Sequence, residues 1–71
     1  MTEEEFDQLE VGDYVKQVND TMKWLIINKY KNAEGTQCFT FLSKGLFPYN
    51  VTFASCVKIE KTTRYTLIDF L

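Results

Sequence analysis

Residues 22–31 read MKWLIINKYK. An extended strand sends alternate side chains to opposite sides, so Met22, Trp24, Ile26, Asn28 and Tyr30 fall on one face. Lys23, Leu25, Ile27, Lys29 and Lys31 fall on the other. Both faces are apolar in the middle, yet lysines flank Leu25 and Ile27, so the second face is wet at its ends. Met22, Trp24, Ile26 and Tyr30 therefore read as the inward set. The same doubling recurs in Gln37–Leu42, where Phe39 and Phe41 alternate with Cys38 and Leu42, and in Tyr65–Phe70. A sheet with two hydrophobic sides needs a cover for the second one.

Outward from this stretch the chain is punctuated as a meander. Thr2-Glu3-Glu4-Glu5 has the form of a capping box, with acids suited to the positive end of a helix dipole. It predicts a short helix over about residues 3–9, whose Phe6 and Leu9 share one side and offer cover for Leu25 and Ile27. Gly12 ends that segment, and period-two patterning follows. Strands are expected at about 13–18, 22–31, 36–43, 50–60 (bent or broken near Ser55 and Cys56) and 64–70. Asn19-Asp20-Thr21 supplies turn chemistry, Asn32-Ala33-Glu34-Gly35 a hairpin connection, and Lys44–Tyr49 an interruption carrying both a Gly and a Pro. Five short antiparallel strands must curl strongly to hide their apolar side, which favours a small barrel over an open sheet. The expected class is mostly β, with one domain over residues 1–71: a helical, acidic segment at 1–10, the barrel at 11–60, and a final strand or extension at 61–71.

Size and composition agree. At 71 residues a single core barely outweighs chain entropy, so most of the six Phe, four Tyr and one Trp are needed inside. No secretory signal opens the chain, and its longest apolar run, Trp24–Ile27, is far too short to span a membrane, so the protein reads as cytoplasmic. Cys38 and Cys56 then read as reduced thiols packed as small hydrophobes. The net charge of −2 is unevenly spread: residues 1–13 hold six acids and no base, while residues 14–71 hold eight bases against four acids. Such a front segment is a solvated helix end, a complement to the basic body, or a deterrent to polyanions.

Leu9-Glu10-Val11-Gly12-Asp13-Tyr14-Val15 resembles the hydrophobic-x-Val-Gly-Asp-x-Val opening of SH3-like small barrels of the bacterial and phage type, an opening that OB-type barrels share. The resemblance runs over residues 9–60, with a long bent second strand, a hairpin at Gly35, the run Val51-Thr52-Phe53, and a last short strand at Val57–Ile59. It implies binding to protein or nucleic acid rather than catalysis.

The chemistry points the same way. There is no histidine, hence no ordinary base near neutral pH. Ser43 and Ser55 carry no signature of an activated nucleophile, three glycines make no phosphate loop, and two cysteines alone make no zinc site. No enzyme activity and no cofactor or metal are expected. A protein-binding module, an adaptor or modulator or a homo-oligomer, is the first expectation. Its candidate contacts are Leu25 and Ile27, Phe47 and Tyr49 in the rigid Gly45–Tyr49 loop, and Phe70 in the apolar end Leu67–Leu71. The alternative is a single-stranded nucleic-acid binder using Lys29, Tyr30, Lys31, Lys58 and Arg64 as a basic, aromatic platform.

Overall fold

A computed structural model describes residues 1–43 and 45–62. It holds a one-turn helix α1 (Glu3–Asp7) and five strands: β1 (Tyr14–Gln17), β2 (Lys23–Lys31), β3 (Gln37–Leu42), β4 (Pro48–Thr52) and β5 (Ile59–Thr62). The strands form one antiparallel sheet in the order β4-β3-β2-β1-β5. The class is mostly β, as expected. Among the described residues the sheet is open, with β4 and β5 as its two edges, rather than closed into a barrel.

Local chemistry sets the element ends. The Thr2 hydroxyl accepts from the Glu5 N–H at 3.1 Å while the Glu5 carboxylate accepts from the Thr2 N–H at 2.8 Å, which is the capping box read from the sequence. Those bonds, the backbone one first, lower the Glu5 pKa below the ordinary carboxylate value. At the β2–β3 hairpin the Asn32 side chain accepts from the Glu34 and Thr36 N–H groups. Gly12, at φ 98°, lies where an L side chain is strained, and its N–H donates to the Ile26 carbonyl as the chain enters β1.

Two expected strands change shape. The strand read at 50–60 is broken: a one-turn 3-10 helix at Phe53–Ser55 separates β4 from β5. The interruption at 44–49 is shorter than expected, because Pro48 already begins β4; proline is tolerated at the first residue of an edge strand, where no ladder N–H is lost. The strand expected at 64–70 lies outside the described residues.

The larger correction concerns sides. Ile26 pairs with Phe41 and Asn28 with Thr40, so Ile27 is left over as a bulge. One extra residue reverses the alternation that follows. Trp24 and Ile26 point to the core as expected, but from there on Lys29 takes the core side, opposite Phe39, while Tyr30 turns to the other face beside Cys38. Asn28 is exposed, and Met22, ahead of the strand, is 49% exposed.

The core is Phe6, Leu9, Val15, Ile26, Phe39, Phe41, Cys56 and Ile59. Phe6 meets Phe39 edge to face at 4.8 Å and Phe53 at 5.8 Å, so α1 lies on the core side of the sheet. Phe6 and Leu9 thus do not cover Leu25 and Ile27. On the opposite face Thr40, 8% exposed, donates from its hydroxyl to the Asn50 side chain at 2.7 Å, which satisfies a polar group in mid-sheet. Both cysteines are free and buried.

The acidic front segment proves partly complementary to the basic body. Glu10 accepts from Lys29 Nζ at 3.0 Å, and Asp13 lies 3.7 Å from Lys61 Nζ. Glu3, Glu4, Glu5 and Asp7 are solvated on α1.

A candidate aromatic groove

Helix α1 and the 3-10 turn cover only part of the core side. Beyond them, toward the β3–β4 turn, an open groove of about 360 Å³ remains. Its floor follows from strand register. Phe41 is opposite Ile26 on β2 and opposite Tyr49 on β4, so Trp24, two residues from Ile26, reaches it diagonally. The two rings stack with centroids 6.0 Å apart and planes at 23°. Val51, two residues beyond Tyr49, extends the wall along β4, and Ile59 with Cys56 closes the β5 side. Gln17, Ser43 and Ser55 supply the polar lining.

The rim is built by the β3–β4 turn. The Ser43 N–H and hydroxyl both donate to the Phe47 carbonyl, at 3.0 and 3.2 Å, and the Leu46 N–H donates back to the Ser43 carbonyl at 3.0 Å. Gly45 at φ 86° and Leu46 at φ 64° both occupy the left-handed region. Glycine suits residue 45 on both counts: its φ is one that L side chains rarely adopt, and a Cβ there would stand 3.1 Å from Cε2 of the Phe47 ring, which would have to shift by a few tenths of an ångström. Leu46 holds the strained conformation with its side chain 66% exposed, and Phe47 is 63% exposed. Two large apolar side chains therefore project from a turn fixed by hydrogen bonds, beside a groove whose lining, among the described residues, carries no charged side chain.

Of the partner-contact residues expected from the sequence, Phe47 and Tyr49 come together here, and Tyr49 is 53% exposed. Leu25 lies half-buried on the other face, opposite Leu42, and Ile27 is exposed at the bulge; neither lines the groove. Phe70 lies outside the described residues, as does Arg64. Among the described residues, Lys29, Tyr30 and Lys58 of the nucleic-acid set do not share one face. Lys29 is paired with Glu10 and stands 5.8 Å from the centre of the Phe39 ring, Tyr30 faces the other way, and Lys58 is in the turn before β5. Met22 and Trp24, assigned to the inward set, prove to be groove residues. Their position at and just before the start of β2, right after a turn, was the one sequence signal that they sit at the end of the core.

The chemistry available in the groove is that of contact. Cys56 is its one thiol, and burial pushes that thiol up to about 11, so at neutral pH it is protonated and a poor nucleophile. Among the described residues no three His, Cys, Asp or Glu side chains gather as a metal site requires, and no helix is long and apolar enough to cross a membrane. No family model matches the chain, and neither curated proteins nor solved structures give a significant match to it.

Proposed function

We propose that the protein is a non-enzymatic binding module of SH3-like type that acts by protein association through the aromatic groove. Its main support is the joining of Phe47, exposed on a preorganised turn, and Tyr49, exposed on β4, to the stacked Trp24–Phe41 pair in one hollow that no charged side chain lines among the described residues. Large aromatic side chains held rigid lose little entropy on contact, which is why such residues dominate binding energy at protein interfaces. The long second strand with its bulge and the hairpin at Gly35 fit the meander that the SH3-like resemblance implies, although the last strand begins at Ile59 rather than at Val57. Lys16, Lys29 and Lys61 face Glu60, Glu10 and Asp13, which leaves less of the basic surface for a polyanion and favours protein over nucleic acid.

The test is affinity capture from native host extract with wild type, Phe47→Ala, Tyr49→Ala and Ile27→Ser in parallel. A captured protein whose affinity falls by about 30-fold with either groove variant, and holds with Ile27→Ser, is the expected result. Equal retention by all four proteins would refute the groove as the binding surface. A salt-sensitive change of Trp24 fluorescence on adding oligonucleotides would favour the nucleic-acid reading instead.

A further inference from the structure

We infer that the second face of the sheet, opposite the core, is the docking surface for the chain's own residues 63–71, which lie outside the described residues. The aromatic groove is on the other side of the sheet and plays no part in this contact.

Strand register defines the surface. Thr62 pairs with Tyr14, Tyr14 with Leu25, and Leu25 with Leu42, so these four side chains form one row across β5, β1, β2 and β3. Cross-strand partners share a face, and Leu25 sits between the core-facing Trp24 and Ile26, which puts the row on the second face. Neither α1 nor the 3-10 turn lies there, since Phe6 and Phe53 pack on the core side with Phe39.

Three observations choose the occupant. The first is burial within this one chain. Tyr14, Leu25 and Leu42 are half-buried with no described element over them, whereas Asn28 and Asn50, farther along the same face, are exposed. Across the sheet, Phe47 and Tyr49 on the groove are more than half exposed. Tyr14 and Lys23, both on the second face, are each engaged in a hydrogen-bond, ionic or ring contact. A second copy or a foreign protein cannot account for burial that the single chain already has.

The second is reach. β5 ends at Thr62, the first residue of the row. From there to Leu42 is three strand spacings, about 14 Å, and the nine residues 63–71 extend to about 30 Å. Tethered at the end of the row, the segment meets this surface at an effective concentration on the order of millimolar. A separate molecule of equal apolar content has no such advantage.

The third is chemistry. The segment carries Tyr65, Leu67, Ile68, Phe70 and Leu71 as apolar area, and its one acid is Asp69. Lys16 and Lys23 stand directly opposite one another on the second face, a like-charge pair that costs stability unless acids offset it. Glu60 meets Lys16 at 2.6 Å, and Asp69 supplies a second acid to the pair.

Isotope-edited NOE spectroscopy of the intact chain tests this. The expected result is contacts from the ring and methyl protons of residues 65–71 to the methyl groups of Leu25 and Leu42. Leu42→Ala then shifts the resonances of residues 65–71, whereas Val51→Ala, on the groove wall, leaves them in place. Circular dichroism identifies variants that keep the fold, and Leu25→Ala serves if Leu42→Ala does not. Contacts to Trp24, Tyr49 or Val51 instead, or no contact with either face, overturn the docking, and so do resonances insensitive to Leu42→Ala and Leu25→Ala alike. Partner capture by the groove variants reads the opposite surface: its failure leaves these contacts intact, and their absence leaves the capture result standing, so the two readings fail separately.

Discussion

Phe39 and Phe41 lie two residues apart on one strand, point to the same side, and are both buried, yet they belong to two different environments. Over Phe39 lies α1, with Phe6 edge-on at 4.8 Å. Phe41 has Trp24 stacked beside it and then the open groove, whose far rim holds Tyr49 and Phe47 more than half exposed. The sheet supplies the same apolar surface along its length; whether a stretch becomes core or binding surface depends on what the rest of the chain lays over it. One turn of helix and one turn of 3-10 helix are long enough to cover half.

This contrast predicts opposite consequences for similar substitutions. Phe6→Ala or Phe39→Ala opens a cavity in the covered half and should cost about 3–5 kcal/mol, enough to unfold much of a domain of this size at ambient temperature. Phe47→Ala in the open half should change stability by less than about 1 kcal/mol. Thermal or urea denaturation of the three variants checks both. Comparable losses at Phe47 and Phe39 would mean that the tip belongs to the core, and the two halves would be one.

Cys56 lies at the seam, in the core cluster and on the groove wall together. Its folded-state pKa is raised to about 11 by burial, from an ordinary value near 9. The protonated thiol is the form the fold accepts, so its contribution is fully present below pH 9 and is lost as pH rises from there through 11, at a total of about 2–3 kcal/mol. Thiolate absorbance during alkaline titration, alongside urea stability at each pH, measures both sides of this linkage. A thiol that ionises near pH 9 without loss of stability would place Cys56 on the wet side of the seam.

The smallest expected effect separates the tip from the other turns. Gly45→Ala forces a side chain into the left-handed region and against the Phe47 ring, at about 1–2 kcal/mol, and moves the ring. Gly35→Ala meets the same backbone restriction but open space, so it should cost less and leave the groove intact. Denaturation together with partner capture by the two variants distinguishes them: only Gly45→Ala should alter both.

What could be read along the chain was what neighbouring residues settle among themselves. The Thr2–Glu5 capping box, the Asn32–Gly35 hairpin and the antiparallel β1–β3 meander are local, and each is formed where the residues indicate it. The Gly45–Tyr49 stretch announced itself by an exposed Phe and Tyr around a proline, and two of the groove's residues were found that way. Trp24 and Met22 were not, because alternation along a strand tells which side a residue faces but not whether that side is covered.

Sequence patterning thus specified the first three strands, the helix cap, the turns that join them and a surplus of apolar side chains, all through interactions a few residues long. The bulge at Ile27, the reversal of Lys29 and Tyr30, the landing of α1 on Phe39 and the opening left above Phe41 were set by the fold. These depend on pairing across strands and on which distant segment reaches which part of the sheet, where a shift of one residue exchanges inside for outside.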